Sequence, residues 1–195
     1  MTGAADPFIL AFGDSLTAGY GLARADTFPA QLQVLLRQSA PDAVVQNAGV
    51  SGDTTRSGLA RLPRVLSSLS RRPDLAIVEL GANDMLRFVD PAVIRQNLDA
   101  ILDAFDHGGV PVLLAGMMAP PLLGPLAVRF NAIYPELAAK HDAALYPFFL
   151  AGAIGGADMT LHDGVHPSAK AVGIIARNML PRVLGALSRE ARAAA

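Results

Sequence analysis

Five short apolar runs alternate with longer amphipathic stretches, and that alternation narrows the folds open to this chain more than any other feature. Phe8–Phe12 (FILAF), Val44–Gln46, Leu75–Leu80 (LAIVEL), Val112–Gly116 (VLLAG) and Ala144–Tyr146 read as strands. The middle runs are apolar on successive residues, as expected where helices cover both faces of a sheet. Pro29–Gln38, Thr55–Ser68, Pro91–His107, Val128–His141 and Ser168–Ala193 read as helices. In the third, Ile94, Leu98, Ile101, Leu102 and Phe105 recur at helical spacing, Pro91 occupies the first turn and Gly108–Gly109 stop it. The pattern predicts an α/β fold, a parallel sheet between two helix layers joined by right-handed crossovers. A chain of 195 residues fits one domain spanning 1–195. In such folds ligands bind beyond the carboxyl ends of the strands, so the residues just after each strand matter most.

Charge and composition narrow the partners. Lys and Arg number 16 against 17 Asp and Glu, with no basic patch, so nucleic acid is not an expected partner. A small neutral or weakly charged substrate fits better. The absence of cysteine excludes disulfides, thiolate metal sites and a thiol nucleophile. No apolar run reaches the ~18 residues of a membrane span, so stable membrane insertion is not expected. Met1–Pro7 (MTGAADP) lacks the basic start and apolar stretch of an export signal, although a signal removed beforehand leaves the compartment open. The Ala/Arg-rich end after Ser188 reads as a fraying helix terminus, and the oligomeric state is not legible.

Three strand ends carry candidate chemistry. After the first comes Gly13-Asp14-Ser15-Leu16-Thr17-Ala18-Gly19-Tyr20-Gly21. A serine on a tight strand-to-helix turn is exposed to ligand, with its own N–H near a helix start, which suits a nucleophile. It also suits a helix cap, and this segment alone does not choose. After the second strand comes Asn47-Ala48-Gly49-Val50-Ser51-Gly52-Asp53-Thr54, where glycines let backbone N–H groups approach a ligand. Ser51 is a rival nucleophile, but Asp53 stands where a nucleophile elbow needs glycine. Asp53 reads as the N-cap of a helix starting near Thr54, and Gly52 as a backbone donor. After the third strand, Gly81-Ala82-Asn83-Asp84 offers Asn83 as an uncharged donor for an oxyanion, or as an Asx-turn closing the strand. Asp84 reads as a turn or cap residue.

Near the end stands Leu161-His162-Asp163-Gly164-Val165-His166-Pro167-Ser168. Asp163 and His166, three apart in a loop, can pair so that the carboxylate orients the imidazole while its other nitrogen faces Ser15. His162 competes by proximity, but Pro167 and Ser168 pin His166 just before a helix. His107 and His141 read as ordinary surface histidines near helix C-termini.

The blocks GDSLTAGYG, NAGVSGDTT, ELGANDMLR and DGVHPS stand in order across nearly the whole chain, and with them the sequence resembles the SGNH (GDSL) hydrolase family. Gly58–Pro63, Ala132–Pro135 and Pro147–Phe149 are similar to its bacterial thioesterase I/lysophospholipase/arylesterase branch. The resemblance implies a three-layer α/β/α, flavodoxin-like fold with a five-stranded parallel sheet. It implies an esterase, with Ser15 as nucleophile, Asp163 and His166 completing a triad, and an oxyanion hole of Ser15 N–H, Gly52 N–H and Asn83. No metal and no organic cofactor is implied. Two other readings fit the residues less well. A metal-dependent phosphoesterase could gather Asp14, Asn83, Asp84, His162, Asp163 and His166, but leaves Ser15 idle. A flavin-binding module leaves Asp163 and His166 idle.

The acyl group is expected near Leu16, Met85, Met117, Leu123 and Val165. The apolar loop Ala119–Leu126 (APPLLGPL) is expected to wall a groove stiffened by Pro120, Pro121 and Pro125. Short to medium acyl chains on aryl or alkyl esters then follow as the preferred substrates, with thioesters and lysophospholipids weaker.

Overall fold

In a computed structural model of the chain, which describes residues 6–156 and 158–193, the five apolar runs form one parallel sheet. Its strands are β1 Phe8–Gly13, β2 Val44–Gly49, β3 Leu75–Glu79, β4 Val112–Ala115 and β5 Ala144–Tyr146, in the order β2-β1-β3-β4-β5. Every residue of β1, β3 and β4 is buried, whereas edge strand β2 keeps Val44 and Asn47 exposed. Continuous apolar sequence therefore marks the interior strands, as burial on two faces requires.

Helices cover both faces. On one side α2 (Phe28–Leu36) packs on the long α8 (Ala169–Ala193); on the other α3 (Thr55–Ser67) packs on α5 (Pro91–His107). The core runs through Phe12, Phe28, Leu32, Leu98, Phe105, Phe130 and Phe149. No helix among the described residues is long and apolar enough to cross a membrane. Residues 1–5, most of the segment tested for an export signal, lie outside the described residues, and α8 stays helical through the Ala/Arg-rich end to Ala193.

The chain leaves β1 for one neighbour, β2, and then crosses to the other, β3. The sheet order reverses there, which opens a crevice beyond the carboxyl ends of β1 and β3. Two one-turn helices that periodicity could not reveal fill its floor: α1 (Ser15–Ala18) after β1 and α4 (Ala82–Leu86) after β3. Each is too short to show a 3.6-residue repeat.

The helix expected over Val128–His141 is instead two, α6 (Pro125–Asn131) and α7 (Ile133–Lys140). Pro135 explains the break. It has no N–H for the Asn131 carbonyl, and its ring crowds that carbonyl. Asp53 does not cap α3. Thr54 does, in a capping box with Ser57, because its hydroxyl reaches the Ser57 N–H.

His141 departs from the surface reading, since only 4% of its side chain is exposed. It bridges α7 to α5, with Nε2 2.6 Å from Asp99 and Nδ1 2.6 Å from Asp106; Asp103 lies at 3.8 Å. Lys140 also binds Asp99, and Arg189 of α8 pairs with the adjacent Asp142. Burial lowers the imidazole's pKa, but hydrogen bonds to Asp99 and Asp106 outweigh it, so the pKa ends above its ordinary value. Protonated His141 therefore stabilises the fold fully below about pH 6.5, and that contribution fades as pH rises through the raised folded value. In melts from pH 6 to 9, wild type should lose a few degrees of Tm that His141→Gln does not lose, the scale of about 1 kcal/mol in a protein this size. Parallel pH profiles for the two proteins would disprove the clamp.

Candidate active site

β1 is cut off by Asp14, whose Oδ1 accepts the Leu16 N–H at 2.9 Å and so starts α1 with Ser15 in its first position. Ser15 sits at the crevice floor, 9% exposed. No protein acceptor takes the N–H of Ser15 or of Gly52 among the described residues. Gly52 lies exposed in the β2–α3 loop at φ 85°, a conformation that favours glycine, and its carbonyl accepts from Arg87 Nη2 at 3.1 Å.

Asn83 lies in α4. Its Nδ2 donates both hydrogens, to Asp14 Oδ2 at 2.9 Å and to the Asp53 carbonyl at 3.0 Å. The turn into α4 needs Gly81, at φ 119°, since a Cβ there would meet the Tyr134 hydroxyl at 2.2 Å. That hydroxyl in turn donates to the Leu80 carbonyl at 2.9 Å. Asp84, fully buried beside Asn83, accepts from the N–H and hydroxyl of Thr55 at 2.8 and 2.7 Å. It thereby caps α3 from outside, the structural role its position suggested.

The loop before α8 is closed by Leu161 N–H to the His166 carbonyl at 2.8 Å and by a bridge between Thr160 and Pro167. It delivers His166 to Ser15, with Nε2 3.0 Å from the serine Oγ. The other ring nitrogen, Nδ1, lies 2.6 Å from Asp163 Oδ2. Asp163 Oδ1 accepts the N–H groups of Val165 and His166 at 2.9 and 3.0 Å. These backbone bonds, then the bond to the ring, lower the Asp163 pKa to about 2. The group is thus a carboxylate whenever His166 needs it. His162 is exposed, on the same loop, and Ser51 is exposed beside Gly52.

The structure thus brings Ser15, Asp163, His166, Gly52 and Asn83 to one crevice. Of the expected acyl contacts, Met85 and Leu123 share an apolar crevice with Phe88, Val89, Ala119 and Phe130. The Leu16 and Met117 side chains belong to the buried core. Val165 is exposed on the His166 loop. Two other residues gained no role from sequence. The Tyr20 ring lies 4.5 Å from the His166 ring. Arg61 joins two loops, with Nε 2.5 Å from Asp53, Nη2 3.0 Å from the Gly13 carbonyl, and its guanidinium over Phe12. Only the spatial neighbourhood reveals either, because each acts across distant segments.

A parallel α/β/α fold with serine, histidine and aspartate in contact at its switch point defines a class, the hydrolases that work through serine. Comparison with known proteins places the chain within it. Residues 11–172 match the GDSL-like lipase/acylhydrolase family, and the chain belongs to that family. It is 40% identical to esterase TesA of Pseudomonas aeruginosa, over 91% of this chain and 88% of that one. It is 37% identical to thioesterase 1/protease 1/lysophospholipase L1 of Escherichia coli, over 89% of this chain and 81% of that one. The crystal structure of AlinE4, an SGNH-hydrolase family esterase, superposes with a TM-score of 0.79 at 47% identity, covering 96% of this chain and 99% of that one. The chain is a serine esterase of the SGNH fold.

Proposed function

We propose that this esterase cleaves aryl or alkyl esters of short to medium acyl chains through an acyl-enzyme on Ser15. The observation that carries the reading is the continuous contact Asp163–His166–Ser15, at 2.6 and 3.0 Å. Nε2 of His166 takes the Ser15 proton as Oγ attacks the ester carbonyl, and Asp163 steadies the imidazolium. The tetrahedral oxyanion lies against the free N–H groups of Ser15 and Gly52 and the Asn83 amide. One Asn83 hydrogen moves to it from the neutral Asp53 carbonyl, a weaker acceptor than an oxyanion, while the Asp14 carboxylate keeps the other. His166 returns the proton to the leaving alkoxide or phenoxide, and water reverses the steps to free the acid.

The crevice of Met85, Phe88, Val89, Ala119, Leu123 and Phe130 supports the acyl preference, because its lining is wholly apolar. Its free volume is only about 10 Å³, so a long chain must first part the segment 119–126 from α4 and Phe88. Pro121 and Pro125 resist that opening: one starts a 3-10 turn over Pro121–Leu123, the other starts α6. The thioesters and lysophospholipids named for the Escherichia coli relative follow as weaker substrates. Each methylene that fits should add about 0.8 kcal/mol until the crevice ends. In kcat/KM against p-nitrophenyl esters of graded length, wild type should peak below about ten carbons. Leu123→Ala should move that peak to longer chains. A flat profile, or one that Leu123→Ala leaves in place, would show that the acyl chain lies elsewhere.

A further inference from the structure

Beneath the nucleophile turn lies a carboxyl group that the proposed ester chemistry does not use. Glu79 ends β3, pairs in register with Gly13, and is completely buried. Its Oε2 accepts from the Thr17 hydroxyl at 2.7 Å and from the Asp14 N–H at 3.3 Å. Its Oε1 is the single buried side-chain N or O atom among the described residues without a conventional partner. The space is shaped for this side chain, because a Cβ on Gly13 would stand 2.6 Å from Oε2 and 2.2 Å from the Thr17 hydroxyl.

Glu79 faces Asp14 directly, and around the pair stand Tyr134 from α7, Asp84 from α4, Arg61 from α3 and His166 from the last loop. Burial, and then the Asp14 charge, hold Glu79 well above the usual carboxylate range. Asp14 is pushed up to about 6 by burial, opposed by hydrogen bonds from Leu16, Asn83 and Glu79 that favour its charge. The Asp14 N–H already reaches Glu79 Oε2, so the two carboxyl groups share one buried space. Two carboxyl groups buried side by side cannot both carry charge, and an Oε1 that accepts from no N–H or hydroxyl is free to hold the proton.

We propose that Glu79, as the neutral acid, is a positioning residue for the oxyanion hole: it donates to Asp14, and Asp14 holds the Asn83 amide beside Ser15. The relay is short. Asp14 Oδ1 fixes the start of α1 through the Leu16 N–H, and Oδ2 fixes Asn83 at 2.9 Å. Without a donor beneath it, the buried Asp14 carboxylate must take up a proton itself, and Asn83 then loses its charged acceptor. The inference rests on Ser15 as nucleophile and Asn83 as oxyanion donor.

The test is steady-state ester hydrolysis by Glu79→Ala, Glu79→Gln and Asp14→Asn, with rates expressed per Ser15 titrated by an organophosphonate so that misfolded protein is not counted. Glu79→Ala should lower kcat per titrated site by about 10–100-fold while KM stays within about threefold. Glu79→Gln should recover at least about tenfold of that loss, because its amide donates to Asp14 in place of the acid. In an Asn83→Ala background, Glu79→Ala should add less than about threefold, since the missing amide is what it positions. An unchanged kcat in Glu79→Ala, a loss as large in Glu79→Gln, or full additivity with Asn83→Ala would each overturn the proposal. Should Glu79→Ala fail to fold, Asp14→Asn reads the same relay, because its amide would face the Asn83 amide donor to donor. Its kcat should fall by at least about tenfold, and an unchanged kcat overturns the proposal. Wild-type protein that takes no label and cleaves no ester would overturn the Ser15 reading and this one with it.

Discussion

Ser15→Ala is expected to lower kcat for ester hydrolysis by about 10⁴–10⁶-fold, the scale seen when a triad nucleophile is removed. The substitution deletes one oxygen whose side-chain contact is His166 Nε2 at 3.0 Å. Asp14 still starts α1 through the Leu16 N–H, and the Ser15 N–H remains beside the crevice. The melting temperature should therefore stay within a few degrees of wild type while activity disappears. An organophosphonate should add one label to wild type, at Ser15, and none to Ser15→Ala. Ser51 is the alternative that sequence left open. It is exposed on the β2–α3 loop, and the Asp163–His166 pair is directed at Ser15 instead. Retained activity in Ser15→Ala, or a label mapped to Ser51, would move the nucleophile to that loop.

What was legible in the chain follows from how far each signal reaches. The strands of the sheet were visible because burial on two faces forces unbroken apolar runs such as Ile9–Phe12 and Leu75–Val78. The α5 helix was visible because its buried Ile94, Leu98, Ile101, Leu102 and Phe105 repeat over about three turns. Helices α1 and α4 were not, because one turn has no period and is held by caps and tertiary contacts. The split at Ala132 did have a local cause in Pro135, which the apolar periodicity around it masked. At the site, Ser15, Gly52, Asn83, Asp163 and His166 stood out because each follows a strand or precedes a helix in a short motif. Glu79 did not, since one acid at the end of an apolar strand looks like the residue that closes it. Its partners, Asp14 and Thr17, lie more than sixty residues away and meet it only through the β1–β3 register. Tyr20, which follows α1 and sets its ring beside His166, was hidden for the same reason.

Asn83→Ala should lower kcat by roughly 10²–10³-fold with a much smaller change in KM, equivalent to about 2.7–4 kcal/mol of transition-state stabilisation. The split follows from where its hydrogens point before reaction. In the free enzyme both are held, one by Asp14 Oδ2 and one by the Asp53 carbonyl, so a neutral ester carbonyl offers little reason to exchange them. An oxyanion is a stronger acceptor than the Asp53 carbonyl, and the exchange becomes favourable only as charge develops. The donor therefore acts on the transition state far more than on bound substrate. Asn83→Ala also frees Asp14 from a hydrogen bond that favours its charge, which should raise the Asp14 pKa above its value of about 6. Because Asp14 acts on the oxyanion through Asn83, the loss should be smaller near pH 6, where wild type itself begins to lose the Asp14 charge, than at pH 8. A loss confined to KM would assign Asn83 to ground-state binding. A fall in kcat of less than about tenfold would leave the oxyanion to the N–H groups of Ser15 and Gly52 alone.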